Sequence, residues 1–482
     1  MLPLVNCNEM RTADRAAIAA GIPGRILMEN AATFALSEVR KFSPSFVPVF
    51  CGKGNNAGDG FALARRLFVG NIQTEIVLTE SPEAFSGDAA ENFLAAKNLG
   101  VKITAFSDFS KRSTLPSGTV AVDALLGTGV RGEVGGVIGD AIDYLNASGV
   151  PVVSLDLPSG ISGDTGKVCG RAVKAAKTVT FGYRKLGLYS PLSADYVGEV
   201  VCDDISIPAP AVSRFLIEAE DVKFLPLSKA AHKGVRGHAV FLGGSMGMAG
   251  AAVLASMAAE RIGAGLVTAM VPKEILPILS KRLTGTMCMD IEGKIPEKAN
   301  VLIVGCGLGR EADGEKALLK ALDQGADTLI IDADGLYHLT KHLHLLKDAA
   351  KEVILTPHMG EMSRLCGLSA SEITENRVEV AEKFAKEYGV TLVLKGAHTV
   401  VAKKDGRTYI NTTGNPGMAK GGSGDVLAGI IGGLCAQGVE ESAKCGVFLH
   451  GKCGDMAAEA EGERCMTAET LVKFISEASK CM

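Results

Sequence analysis

The chain reads as an α/β protein of two domains, on three observations. Short apolar runs rich in Val, Ile and Thr alternate with helical segments, the pattern of a largely parallel sheet covered on both faces. The alternation breaks at Ile207–Ala211, where two prolines stand in five residues, and restarts after about Pro226. Glycine clusters follow several of the apolar runs directly, as tight strand-to-helix turns require. The chain has 482 residues, ample for this division into 1–210 and 226–482.

In the first domain, helices are expected over Asn8–Ala20, Arg25–Arg40, Ala57–Phe68, Ala89–Asn98 and Val137–Ala147. Strands are expected over Val47–Cys51, Gln73–Leu78, Thr119–Asp123, Val152–Leu155 and Thr178–Phe181. In the second domain the strands are His238–Leu242, Gly265–Met270, Val301–Val304, Thr328–Ile331, Val353–Leu355 and Thr391–Leu394. The helices there are Gly250–Arg261, Glu311–Gln324, Ser371–Tyr388 and Asp425–Gln437. The two halves share this architecture but not their motif order.

Net charge is −4 with both signs interspersed, so neither a nucleic-acid stripe nor a basic membrane-binding block is present. Twelve scattered cysteines with no CxxC spacing point to reduced thiols in a cytoplasmic protein rather than a disulfide scaffold. The first residues lack a basic stretch followed by an apolar one, so no signal peptide is expected. The apolar run Val426–Cys435 is too short and Gly-rich to span a bilayer.

The strongest chemical signal is Asn411–Gly429, NTTGNPGMAKGGSGDVLAG. Glycines surround one lysine, Lys420, and one carboxylate, Asp425, and an apolar helix follows. Glycine lets backbone approach a ligand, and a helix start aims unpaired N–H groups at it; together they make an anion site, most naturally for phosphate. Lys420 is expected to contact that phosphate, and Asp425 to handle a proton beside a transferring phosphoryl group. GGSMGMAGAA (243–252), GCGLG (305–309), DADGL (332–336) and TPHMGE (356–361) follow strands, and LKGAHT (394–399) joins two. In the first domain GNNAGDG (54–60), DALLGTGVRGE (123–133) and DLPSG (156–160) sit at strand carboxyl ends, where parallel sheets bind ligands. Any one of these loops could simply close a turn; three together define a site. Asn56, Asp123 and Ser159 offer hard oxygen ligands for a cation, and Asp156 could act as a base. His338 and His342 have zinc-compatible i,i+4 spacing but no completing ligand nearby, and are expected on a surface or half-buried helix.

These motifs, in this order over nearly the whole chain, resemble those of the bifunctional NAD(P)H-hydrate repair enzymes. The resemblance implies an N-terminal Rossmann-like α/β/α sandwich acting as an epimerase. It implies a C-terminal ribokinase-like α/β/α domain acting as a dehydratase. The substrates it implies are NADHX and NADPHX, hydrated nicotinamide cofactors with R and S forms. The epimerase interconverts the forms; the dehydratase phosphorylates the hydroxyl of the S form and expels phosphate to restore NAD(P)H. ADP with Mg²⁺ is the implied phosphoryl donor, ATP the alternative, and a homo-oligomer is implied.

Carried over residue by residue, the epimerase substrate positions are Asn55, Asn56, Ala57, Gly58, Asp59, Gly127, Thr128, Gly129, Val130, Arg131, Gly132, Glu133 and Asp156. Asn56, Asp123 and Ser159 match the potassium positions. Ala252, Gly307, His358 and Asp425 match dehydratase substrate positions. Lys395, Gly396, Ala397, His398, Thr399 and Gly424 match nucleotide positions. Asp425 and Asp156 are the candidate catalytic residues. Two positions depart from the family pattern. Ala57 replaces the usual glycine and is expected to narrow the pocket. Cys306 replaces the usual proline and is expected to change loop stiffness more than chemistry. The rival reading is a ribokinase-like small-molecule kinase with a structural N-terminal domain. A non-enzymatic nucleotide sensor would need the loops but not Asp425.

Overall fold

In the computed structural model, residues 1–130, 132–224, 229 and 233–480 are described. The chain divides into two compact units, Pro3–Val212 and Ser213–Met482, the second also holding Met1–Leu2.

The first unit is built on seven strands in the order Lys102–Ala105, Gln73–Leu78, Phe46–Cys51, Ala121–Ala124, Val152–Leu155, Lys177–Phe181 and Glu199–Asp203. Every pairing in it is parallel. Phe46–Cys51 comes first in the chain yet lies third, beside Ala121–Ala124 with Cys51 opposite Ala124. Connections leave these two neighbours in opposite directions, so a crevice opens at their carboxyl ends. Phe46–Cys51 and Val152–Leu155 are buried throughout, as strands covered on both faces must be. Helices Gly24–Arg40 and Asn55–Val69 supply part of the covering layer through Leu27, Ala31, Phe61 and Leu67.

The second unit repeats the same order. Met287–Asp290, Leu266–Val271, His238–Leu242, Val301–Val304, Thr328–Ile331, Glu352–Leu355 and Thr391–Leu394 pair in parallel. Val400–Ala402 and Thr408–Ile410 then extend the sheet antiparallel, and Arg214–Leu216 adds a further parallel strand. Its crevice lies between His238–Leu242 and Val301–Val304.

Two helices that carry no loop motif, Ser442–Glu461 and Ala468–Lys480, add to the expected set. The helix expected over Ser371–Tyr388 is two helices, Ala370–Glu375 and Arg377–Tyr388, because Asn376 leaves the helical region at φ −123° and ψ 35°. The break brings Arg377 into the interior, where its guanidinium donates to the carbonyls of Leu394 and Lys395, both at 2.8 Å.

Helix Ser423–Ala436 packs closely on helix Ala249–Ile262 because two of its glycines face the neighbouring backbone. A methyl on Gly429 would run into the Ala255 carbonyl and lie 2.8 Å from the Ala258 methyl; one on Gly433 would lie 2.7 Å from the Ala259 carbonyl. This approach fixes where the helix begins, and therefore where Asp425 stands. Gly429→Val should destabilise the second unit by about 2–3 kcal/mol through overpacking, read as a lowered urea midpoint at unchanged slope.

Candidate functional sites

In the first unit, the loops after Phe46–Cys51, Ala121–Ala124 and Val152–Leu155 converge on one cavity of about 550 Å³. Asn55, Asn56, Asp59, Gly127, Thr128, Gly129 and Asp156 line it. A side chain on Gly127 would lie 3.1 Å from Asp156 Oδ2 and 3.4 Å from Asn56 Cβ, so its absence lets the loop close over both. Asp156 takes the left-handed conformation at φ 66°, which Asp tolerates better than most residues and which turns its carboxylate into the crevice.

Lys185 is the partner that sequence reasoning missed. Its buried ammonium lies 2.6 Å from Asp156 Oδ1 and also donates to Thr180 Oγ1 and the Phe181 carbonyl. Two further carboxyls of this cavity feel the Asp156 and Lys185 charges. Burial pushes Asp59 well above the usual carboxylate range, with the Asp156 and Asp14 charges adding and Lys185 opposing. Burial likewise raises Asp14. One cation among three carboxyls favours keeping protons in the cluster, the condition for groups that give as well as take them.

Behind this wall, Asp123 is fully buried and saturated. It accepts from Ser159 Oγ at 2.5 Å and from the Ser159 N–H and Ser154 Oγ at 2.8 Å. Asn56 donates to the Leu126 carbonyl at 2.9 Å, but its Oδ1 is buried with no hydrogen-bond partner. A hard cation would satisfy that oxygen, while the Asp123 and Ser159 oxygens already engage each other.

Some expected contacts lie elsewhere. The Ala57 methyl is fully buried in the core and off the cavity wall, so it does not narrow the pocket. Gly58 faces Met28 and Ala89, where it permits helix packing. Val130, Gly132 and Glu133 follow the cavity-lining part of their loop without lining it, and Arg131 lies outside the described residues.

In the second unit the chemical groups gather at the start of helix Ser423–Ala436. Gly422 caps it in the left-handed region at φ 93°, and Asp425 stands in its first turn. Lys395, just past strand Thr391–Leu394, lies 2.6 Å from Asp332 Oδ1 and 4.0 Å from Glu361 Oε2. A methyl on Gly424 would sit 3.3 Å from Lys395 Nζ and 3.6 Å from Asp332 Oδ2, so the helix start lies directly against this pair. Burial pushes the Asp425 carboxyl up to about 6; Asp332 and Asp334 add to the shift, while Cys306 and Lys395 oppose it. At neutral pH Asp425 is therefore mostly ionised yet close enough to neutrality to accept a proton.

Around this centre, Arg377 anchors the Lys395–Gly396 turn, where Gly396 has φ 140° and Thr399 Oγ1 returns to the Gly396 carbonyl at 2.9 Å. Ala397 is exposed and His398 is left-handed at φ 52°. Ala252 is buried under Gly244, and Gly307, at φ 63°, lies against Met248. His358 caps helix Met359–Cys366, its Nδ1 accepting the Gly360 N–H at 2.9 Å.

Three expectations are corrected here. Lys420 does not point at a phosphate; its ammonium donates to the carbonyls of Arg464 and Met466 at 2.7 and 2.6 Å, tying the loop down. Cys306 is more than a stiffness change, because its thiol is buried against Asp332 and Asp425. His338 and His342 do not share a helical face, since the helix ends at Leu339. His338 Nε2 instead meets the Gly309 carbonyl and His342 meets Glu315, a carboxylate near the pair that sequence reading overlooked.

Among the described residues, one trio of Cys, Asp, Glu or His has metal-compatible spacing, namely Cys306, Asp332 and Asp425. It does not suit Mg²⁺ as a protein cage. Mg²⁺ prefers an octahedron of oxygens, whereas this set includes a thiol and a carboxylate already paired with Lys395.

Two largely parallel sheets in one chain, each with a polar crevice at its switch point, define a two-site α/β enzyme of the nucleotide-binding type. The family model described as YjeF-related protein N-terminus matches residues 24–187, and that described as NAD(P)H-hydrate dehydratase matches 239–477. A protein of Moorella thermoacetica, named bifunctional NAD(P)H-hydrate repair enzyme Nnr, is 38% identical over 98% of this chain and 96% of its own length. A protein of the same name from Thermofilum pendens is 36% identical over 100% of this chain and 97% of its own. A ribokinase-like superfamily protein of known structure from Enterococcus faecalis is 26% identical, with TM-score 0.51, over 56% of this chain and 96% of its own. The chain belongs to the family of bifunctional NAD(P)H-hydrate repair enzymes.

Lys185→Met leaves Asp156 in the crevice without its cation. It should cost about 3 kcal/mol in chemical denaturation at neutral pH, and Asp156→Asn in the same chain should recover part of the loss.

Proposed function

We propose that this protein repairs hydrated nicotinamide cofactors through two activities on one chain. Residues 1–210 epimerise R- and S-NAD(P)HX, and residues 226–482 dehydrate the S form to NAD(P)H with ADP as phosphoryl donor, giving AMP and phosphate. The observation that carries the reading is the placement of Asp425. It is a carboxylate near pH 6 at a helix N-terminus, beside the Lys395–Asp332 pair and a glycine-lined approach. In the proposed reaction Asp425 takes the hydroxyl proton while that oxygen bonds to the terminal phosphorus and the bridging P–O bond breaks. The helix start and Lys395 stabilise the transferring charge. Phosphate then leaves with the C–O electron pair, and a ring proton is lost as the double bond re-forms. Phosphorylation is needed because hydroxide is a poor leaving group and phosphate a good one.

Lys395–Thr399 and Gly424 hold the nucleotide in this reading, and Ala252, Gly307 and His358 the hydrated nicotinamide. Mg²⁺ enters on the nucleotide phosphates, where it neutralises their charge. In the first unit Asn55, Asn56, Asp59 and Gly127–Gly129 bind substrate, and Asp156, set by Lys185, moves the proton. Asn56, Asp123 and Ser159 hold potassium, which supplies fixed positive charge behind the loops. Among the described residues no helix is long and apolar enough to cross a membrane. We place the enzyme in the cytoplasm as a homo-oligomer, which light scattering would set against the 50.0 kDa of one chain. A small-molecule kinase would share Asp425 but would release a stable phosphate ester and leave the first unit unexplained.

Incubation with mixed R- and S-NADHX, Mg²⁺ and ADP should restore the reduced-nicotinamide absorbance completely, beyond slow spontaneous epimerisation. Recovery that stops after the S fraction would remove the epimerase, and a stable phosphate ester would favour the kinase. Asp425→Asn should lower dehydratase turnover by about 10²–10⁴-fold, and the wild-type rate should fall as pH drops through about 6. Epimerase activity should fall when potassium is withdrawn; equal rates in potassium-free buffer would overturn that assignment.

A further inference from the structure

The turn that leaves strand Thr391–Leu394 takes the backbone to positive φ twice, at Gly396 with 140° and at His398 with 52°. Such conformations persist where the surroundings fix them. The Lys395 N–H donates to the Pro357 carbonyl at 2.8 Å. Nη2 of Arg377 donates to the carbonyls of Leu394 and Lys395, each at 2.8 Å. The same guanidinium lies directly against Gly396, where a methyl would stand 2.9 Å from Nη2 and 3.1 Å from Nη1. Arg377 is buried, its Nε has no hydrogen-bond partner, and among the described residues no carboxylate pairs with it. Burial pulls it down to about 10, so it stays charged at neutral pH. A buried cation without a counter-ion lowers stability. What the arrangement secures instead is the shape of one turn.

We propose that Arg377 is a positioning residue for the phosphoryl donor, its guanidinium holding the Lys395–Thr399 turn in the nucleotide-receiving conformation before the nucleotide arrives. The proposal rests on the reading of Lys395–Thr399 as the nucleotide site. Arg377 fixes the Lys395 carbonyl and Pro357 fixes its N–H, so the residue is clamped on both sides. From that fixed backbone the Lys395 ammonium reaches Asp332 Oδ1 at 2.6 Å. Thr399 Oγ1 closes the turn on the Gly396 carbonyl at 2.9 Å. A turn set in advance loses less freedom on binding, so the guanidinium supports affinity for the nucleotide. The hydrated nicotinamide, assigned to Ala252, Gly307 and His358, is held by other loops.

The test is binding of ADP with Mg²⁺ to the full chain by titration calorimetry, beside KM for ADP and KM for S-NADHX, for wild type, R377M, R377K and K395M. R377M, unbranched and without donors, should weaken ADP binding and raise KM for ADP by roughly tenfold, with KM for S-NADHX within about twofold of wild type. R377K, which can still donate to the carbonyls but lacks the planar fork, should return ADP binding to within about threefold. R377Q repeats the measurement should R377M not fold. Equal rises in both KM values, or unchanged ADP affinity in a folded R377M or R377Q, would mean that the guanidinium only supports the fold. Either result would overturn the proposal while K395M binds ADP weakly. A wild type that binds neither ADP nor ATP, or an ADP affinity untouched in K395M, would overturn the reading of the turn as the nucleotide site, and the role of Arg377 with it.

Discussion

In each unit one carboxylate just past the carboxyl end of a parallel strand is neutralised by a single lysine. Lys185 lies 2.6 Å from Asp156 in the first, and Lys395 lies 2.6 Å from Asp332 in the second. Lys395 directly follows strand Thr391–Leu394, whereas Lys185 ends the short strand Arg184–Lys185, which pairs with Leu2–Val5. Such a pair is costly to dehydrate and costlier to break, so it survives where geometry is more important than stability alone. Here it fixes the spacing between strand ends and sets the charge against which the neighbouring carboxyls titrate. Asp59 and Asp14 are raised beside the first pair, and Asp425 beside the second.

The shared strand order explains why one chain can carry two such sites. In each parallel run of seven strands the first lies third, beside the fourth, so connections diverge and leave a crevice that needs no dedicated wall. Different loops then make different chemistry. The first crevice gathers Asp156, Asp59 and Asp14 near Lys185, suited to moving protons. The second presents a helix start and a lysine, suited to stabilising a phosphoryl group, with the base in the helix itself.

Much of this was legible beforehand. Strands buried on both faces read as continuous apolar runs, and glycine loops mark strand ends because the backbone there demands them. What the sequence did not disclose depends on tertiary geometry. Lys185 and Asp14 meet Asp156 across long chain separations, and nothing local marks either of them. Ala57 sits in a ligand loop, yet helical rotation turns its methyl into the core. Lys420 lies inside the phosphate-like run, but nearby carbonyls capture its ammonium. Cys306 looked like a loop substitution because only the folded turn aims its sulfur at two carboxylates. The three-residue strands Arg214–Leu216, Val400–Ala402 and Thr408–Ile410 are too short to show a period.

The cap on helix Met359–Cys366 has its own consequence for recognition. His358 Nδ1 accepts backbone N–H groups, so the neutral ring carries its hydrogen on Nε2. That tautomer leaves the outer nitrogen, 3.3 Å from Glu361, able to donate and unable to accept. The hydrogen on that nitrogen faces the Glu361 carboxylate, so a molecule reaching this exposed imidazole meets a donor and an acceptor side by side.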